Sequence, residues 1–199
     1  RSSGADATAA MRSYNPARAT PLDQLTAKPQ GIPENPSQTS FVVVDLVGQT
    51  VVCTLTNYNL FGTGRVAPGT GVVLAAAPGR GDRNALSLGG LISVNAGGRE
   101  LRFAAAASGG GAATTALIRV AAETVSSEKT LERAMLEPRI HHSGAPDITL
   151  VEKDVPDTIV ERIRRNGHRV VRAPGLGRVN AAECPLGLGV GSEAVVCFV

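Results

Sequence analysis

Apolar residues near the start of the folded part of the chain follow strand-like spacing. Two apolar runs at 41–46 and 50–56 flank Val47 and Gly48. Short apolar runs around a glycine turn are typical of a β-hairpin. Further strands are predicted at 71–75, 90–95, 100–105, 148–151, 168–172 and 194–199.

The middle of the chain changes to helical spacing. After the glycines at 109–111, the run 112–125 has apolar residues three and four apart and no proline, which predicts a buried helix. Ser127 is a candidate cap for a second helix, and Asp154 for a third that ends at Asn166. The order of strands, helices and strands predicts an α+β fold, with helices packed on a mainly antiparallel sheet.

Residues 1–36 contain five prolines among small and polar residues, a composition that disfavours regular structure. We therefore predict an extended tail or linker at 1–37 and one domain at 38–199. A chain of 199 residues with 43% apolar residues can bury one sizeable core.

Composition excludes several classes of function. Aromatic residues make up only 3% of the chain and the net charge is +3, so we expect no nucleic-acid partner. No apolar run approaches the roughly 20 residues that cross a bilayer, so no membrane span is expected. Cys53, Cys184 and Cys197 are too far apart for a zinc motif; structural thiols are expected, although one disulfide remains open.

The histidines show no metal-binding pattern. His141 and His142 are adjacent, so in an extended segment their side chains point to different sides. We interpret both, and His168, as structural. No metal ion and no other cofactor are expected.

Several sequence blocks resemble one known family. Glu137-Pro138-Arg139-Ile140-His141-His142 precedes Pro146-Asp147 and Val151-Glu152, while Phe61-Gly62-Thr63-Gly64 and Pro68-Gly69-Thr70-Gly71 lie earlier. In these blocks the chain resembles the small, catalytic subunit of the γ-glutamyltransferases (γ-glutamyl transpeptidases), preceded by the tail of their large subunit. The resemblance implies an N-terminal-nucleophile hydrolase with a four-layer αββα sandwich, of which this chain supplies the small-subunit part.

The resemblance also implies a set of catalytic positions. In the family, a threonine freed by self-cleavage attacks a γ-glutamyl amide, and Val43-Val44-Asp45 align so that its position falls on Gln38. A carboxamide is not a usable nucleophile. Thr39 could serve only after a one-residue shift, which would turn its side chain to the other face of the strand. Thr56 would orient the nucleophile, and Gly109 with Gly110 would form the oxyanion hole.

The implied substrate-binding positions depart further from the family. The family's asparagine after Thr56 is replaced by Tyr58, beside Asn57, and its serine pair is reduced to Ser87. The loop that would hold the substrate's ammonium group reads Ala75-Ala76-Ala77, whose side chains accept no hydrogen bonds.

Two hypotheses follow from these positions. The favoured one is a degenerate family subunit with a non-catalytic, structural or partner-binding role. The alternative is an active γ-glutamyltransferase, glutathione hydrolase or related amidase that uses Thr39 after cleavage between Gln38 and Thr39. In either case we expect a large-subunit-like chain or a larger assembly as partner, and periplasmic or extracellular location by family habit. A γ-glutamyl or other acyl amide would be the substrate of the active form.

Overall fold

The computed structural model describes residues 37–77, 89–95, 97, 99–127, 129–142, 144, 147–191 and 197–198. Strands β1 (Gln38–Val44) and β2 (Thr50–Thr56) form the predicted hairpin. Asp45 caps its turn, because the Asp45 carboxylate accepts hydrogen bonds from the backbone N–H groups of Val47 and Gln49. Gly48 has φ +82°, and a Cβ there would meet the Leu188 carbonyl oxygen, so this turn requires glycine.

A second, antiparallel sheet has the strand order β3-β4-β8. Its strands are β3 (Gly89–Val94), β4 (Leu101–Ser108) and β8 (Arg178–Leu188). Strand β8 is absent from the predictions because Pro185 and Gly187 obscure its pattern. The pairing register between β4 and β8 shifts between Leu101 and Phe103, opposite the Pro185 segment, so the ladder tolerates the missing N–H group.

Helices α1 (Ala112–Ser126) and α2 (Leu131–Leu136) cover one face of this second sheet. Phe103 and the small side chains of β4 pack there against Leu117 and Val120 of α1. The opposite face, with Ala104, contacts the inward side of the hairpin, including Val42. These elements thus form three successive layers: helices, sheet and hairpin. The alanine-rich β4 lies at the centre, since small side chains allow both neighbouring layers to approach closely.

A third sheet has the order β5-β6-β7. Its strands are β5 (Ile140–His142), β6 (Thr149–Glu152) and β7 (Val170–Ala173). Helix α3 (Asp157–Arg165) connects β6 to β7, which are parallel to each other, while β5 and β6 are antiparallel. The sheets are therefore mainly antiparallel, as predicted.

Several local predictions were wrong. The segment 71–75 forms no strand but a single bridge between Val66 and Val73, because glycines with positive φ interrupt the pairing around it. The cap of α2 is Thr130 rather than Ser127, and α3 begins after Pro156 rather than at Asp154. Of the predicted strand 194–199, only Cys197 and Phe198 lie within the described residues, and Phe198 bridges to Glu183.

Cysteine pairing differs from the expected structural thiols. Cys184 and Cys197 form a disulfide, while Cys53 is free. Spacing alone could not reveal this bond, because the fold brings the end of the chain back to β8. None of the helices in the described ranges combines the length and apolar character needed to cross a bilayer.

Candidate functional site

The Gln38 side chain lies in a pocket of backbone N–H groups. Its Oε1 accepts hydrogen bonds from the Gly110 N–H at 2.7 Å and from the Gly109 N–H at 3.0 Å. Two converging backbone donors on one oxygen are the arrangement of an oxyanion hole. Both backbone N–H groups are therefore already paired with the Gln38 side chain.

The glycines of this turn aim both N–H groups at one point. Gly109 has φ +115° and Gly110 φ +83°, conformations that side-chain-bearing residues rarely adopt. The turn leads into α1, whose capping residue Gly111 has no side chain to accept a hydrogen bond. The Gln38 oxygen therefore accepts from N–H groups that stand at a helix start and lack a capping side chain of their own.

Strand alternation places Thr39 on the other side of the hairpin. Gln38 is half-buried and Ser40 buried, whereas Thr39 between them is exposed, as are Phe41 and Val43. Successive side chains of a strand point to opposite faces. The structure therefore brings Gln38, and not Thr39, to Gly109 and Gly110.

Thr56 lies directly across the hairpin from Gln38. The two residues are partners in the β1–β2 register. The Thr56 hydroxyl oxygen accepts a hydrogen bond from the Tyr58 N–H at 2.9 Å. Thr56 thus shares the Gln38 face, and its side chain shapes the turn that follows β2.

Asn57 and Tyr58 form that turn. The Asn57 backbone donates to the Ser37 carbonyl and accepts from the Ala76 N–H. Tyr58 has φ +60° and is the only non-glycine residue with positive φ among the described residues. A left-handed tyrosine is a strained conformation. Ser87 lies outside the described residues.

A hydrogen-bonded contact between β8 and β1 was not predicted from the sequence. The Asn180 side-chain amide donates to the Ser40 carbonyl oxygen at 2.8 Å and to the Ser40 hydroxyl at 3.1 Å. Buried Ser40 is thereby satisfied two residues from Gln38. This contact fixes the start of β1 over the second sheet.

His141 and His142 have separate partners, as their adjacency predicted. His141 Nδ1 lies 2.9 Å from the Thr115 hydroxyl of α1. Burial lowers the pKa of His141, and the neighbouring His142 lowers it further. The Nε2 atom of His141 is 3.9 Å from where a Cβ of Gly111 would lie, so a neutral imidazole flanks the glycine turn.

The Glu137-to-Glu152 motif supports the third sheet. The Glu152 carboxylate accepts from the Arg139 and Leu176 N–H groups, each at 2.8 Å, and lies 3.8 Å from the Arg139 guanidinium. Arg139 also donates to the Gly177 carbonyl oxygen at 2.8 Å. These two motif residues hold segments together rather than contacting the glycine turn.

Comparison with known proteins identifies the fold. A variant of Helicobacter pylori gamma-glutamyltranspeptidase superposes with a TM-score of 0.65 at 21% identity, over 80% of this chain and 96% of that one. The Bacillus anthracis transpeptidase enzyme CapD gives 0.61 at 19% identity, over 80% and 92%. These structures establish the N-terminal-nucleophile hydrolase fold over the part of the chain that they cover.

Sequence comparisons point to the same family. Acylase ACY 1 proenzyme of Pseudomonas sp. (strain V22) is 26% identical over an alignment of 164 residues that covers 74% of this chain. The match spans only 28% of the length of that proenzyme. The profile of the Gamma-glutamyltranspeptidase family matches residues 90–185, from β3 into β8. The γ-glutamyltranspeptidases are therefore the family that this chain resembles, in sequence over residues 90–185 and in fold over 80% of its length.

Proposed function

We propose that this chain is a non-catalytic subunit of the γ-glutamyltranspeptidase family, with a structural or partner-binding role. The observation that carries the proposal is that the Gln38 carboxamide oxygen accepts hydrogen bonds from the Gly109 and Gly110 N–H groups, the pair to which the resemblance assigns the oxyanion hole. A carboxamide has no hydroxyl to attack an acyl group. Its oxygen already accepts hydrogen bonds from both glycine N–H groups. Substrate carbonyl and Gln38 would compete for the same two N–H groups.

The neighbouring hydroxyl does not replace the missing nucleophile in this arrangement. Thr39 is exposed on the opposite face of β1. Bringing its hydroxyl to the glycine turn would require β1 to slip by one residue. Such a slip would also turn Val42 and Val44 out of the core between the two sheets.

A partner role is supported by the outer face of the hairpin. Phe41, Val43, Val51 and Leu55 are between 42% and 57% exposed and lie on one side of β1 and β2. A cluster of large apolar side chains on one face is typical of an interaction surface. We propose that a large-subunit-like chain or a larger assembly covers this hairpin face.

The activity test uses the whole protein. The intact mass of freshly purified protein is measured, and hydrolysis of a chromogenic γ-glutamyl anilide is followed in parallel. We expect an uncut bond between Gln38 and Thr39 and no turnover above that of a Thr39→Ala control. A chain that begins at Thr39, with turnover lost in the control, would overturn the proposal.

That opposite result would support the second candidate, an active transferase, glutathione hydrolase or related amidase with Thr39 as nucleophile. The observation in its favour is the intact glycine turn, whose two N–H groups still converge on one oxygen. An acylase proenzyme among the relatives extends the candidate substrates to other acyl amides. In this case Thr56 would orient the hydroxyl, while Ser87, Asn57 and Tyr58 would contact the substrate.

The partner proposal is tested by size-exclusion chromatography of the isolated chain. We expect self-association without the partner, and a monomer when Phe41→Ser and Val51→Ser are combined, because both changes lie on the exposed hairpin face. A wild-type chain that runs as a monodisperse monomer would count against an uncovered interface.

We also propose a periplasmic or extracellular location. The Cys184–Cys197 disulfide supports it, since such bonds persist in oxidising compartments. Cell fractionation, with thiol labelling of the native protein, tests the proposal. Recovery in the cytosolic fraction with both thiols reduced would contradict it.

A further inference from the structure

Three polar side chains meet at one edge of the third sheet. His142 ends β5, while Asp147 and His168 each precede by two residues the first residues of β6 and β7, Thr149 and Val170. Thr149 pairs with both His142 and Val170, so the three segments lie side by side. The strand register therefore gathers residues that are far apart in sequence.

The three side chains present their ligand atoms to one point. One nitrogen of each histidine and one oxygen of Asp147 all lie within 4.8 Å of one another. The imidazole rings of His142 and His168 are 5.7 Å apart between centroids and tilted by 73°. All three residues are exposed, so a hydrated cation can reach them and keep water at its remaining positions.

We propose that His142, Asp147 and His168 bind one divalent transition-metal ion of the Zn²⁺, Co²⁺ and Ni²⁺ class. Imidazole nitrogen suits these ions, whereas Ca²⁺ and Mg²⁺ prefer oxygen ligands only. Two neutral imidazoles and one carboxylate give the ligand set a charge of −1, which partly balances the cation. Three protein ligands leave open positions for water.

Binding must displace contacts that the side chains now make. His142 Nε2 lies 2.9 Å from the Asp147 carboxylate, and the Gly144 N–H donates to His142 Nδ1 at 3.1 Å. This pattern places the proton of a neutral His142 on Nε2. A cation at Nε2 moves that proton to Nδ1 and releases the Gly144 N–H from its acceptor. Gly144 is exposed, so its N–H can pair with water instead.

The test is a calorimetric Zn²⁺ titration of the complete, chelator-treated protein. We expect one equivalent to bind, with affinity reduced about tenfold or more by His142→Ala and by His168→Ala. Asp147→Asn should also weaken binding. His141→Ala is the matched control: it removes the adjacent imidazole, which contacts Thr115 instead, and should leave the affinity unchanged.

Three results would overturn the proposal. They are the absence of Zn²⁺ binding up to about 1 mM, equal affinity in all variants, or binding of Ca²⁺ as tight as that of Zn²⁺. Co²⁺ absorption spectra give an independent reading, because His142→Ala and His168→Ala should each change the ligand-field bands and His141→Ala should not. The site needs no nucleophile, so its test is independent of the proposed loss of catalysis.

Discussion

Replacing Gln38 by alanine tests whether its carboxamide fastens β1 to the start of α1. The change leaves the Gly109 and Gly110 N–H groups without their acceptor. A net hydrogen bond contributes about 0.5–1.5 kcal/mol, so the two bonds together contribute about 1–3 kcal/mol. Gln38 and both glycines are only half-buried, and water can partly replace the lost oxygen. We therefore expect a loss of about 2 kcal/mol in the free energy of unfolding.

Urea unfolding with Gln38→Glu and Thr39→Ala as companions makes the test specific. A carboxylate keeps an acceptor at both N–H groups and adds charge at a helix start, worth about 0.3–1 kcal/mol. At neutral pH, the free energy of unfolding of Gln38→Glu should therefore equal or exceed that of the wild type. Because Thr39 is exposed, Thr39→Ala should change the free energy of unfolding by less than about 0.5 kcal/mol.

Amide hydrogen exchange supplies a second reading at the two glycines. The Gly109 and Gly110 N–H groups should exchange faster in Gln38→Ala and stay protected in Gln38→Glu. If Gln38→Ala unfolds at the same urea concentration as Thr39→Ala, with unchanged exchange at both glycines, the assigned role of the carboxamide is refuted.

Three other predictions follow from described contacts. Glu152→Ala should lower the free energy of unfolding by about 3 kcal/mol, because it leaves the Arg139 guanidinium and two N–H groups without their carboxylate; Glu152→Gln should cost less. Reduction of the Cys184–Cys197 disulfide, which links residues 13 apart, should cost about 3 kcal/mol, and a urea midpoint insensitive to dithiothreitol would contradict this. Because the pKa of His141 is lowered from 6.5 in the folded state, the unfolded chain binds more protons as the pH falls below about 6.5. Stability should therefore decrease with acidification through that range, and the His141→Gln variant should show a smaller decrease in pH-dependent unfolding.

The spacing of apolar residues was sufficient to predict the elements whose periodicity is regular. The hairpin, β4 and α1 were predicted because alternating or helical apolar spacing matches the layer that each element contacts. Strand β8 was missed, since its proline is tolerated only through a register shift that depends on β4. The predicted strand 71–75 failed for the converse reason: it has apolar residues, but no continuous partner strand.

The sequence located the position of the candidate site but not its chemistry. Counting back from Val43-Val44-Asp45 pointed to residue 38, and the glycine run at 109–111 pointed to the backbone N–H donors. That a glutamine oxygen reaches both N–H groups depends on how β1 crosses the start of α1, a long-range contact that no local pattern encodes. The Asn180 contact with Ser40 likewise joins residues 140 apart.

The third sheet packs on core clusters separate from that of the second sheet, and this affects which part of the molecule unfolds first. Val151, Val155 and Val160 form a small core between that sheet and α3, while Ala112 links a second cluster to α1. Among the described residues, no strand of this sheet pairs with either of the other sheets. Segments with separate cores can unfold locally at a lower free energy than the whole domain. The β5-to-β7 unit should therefore open before the alanine-rich centre does, and proteolysis under native conditions should begin there.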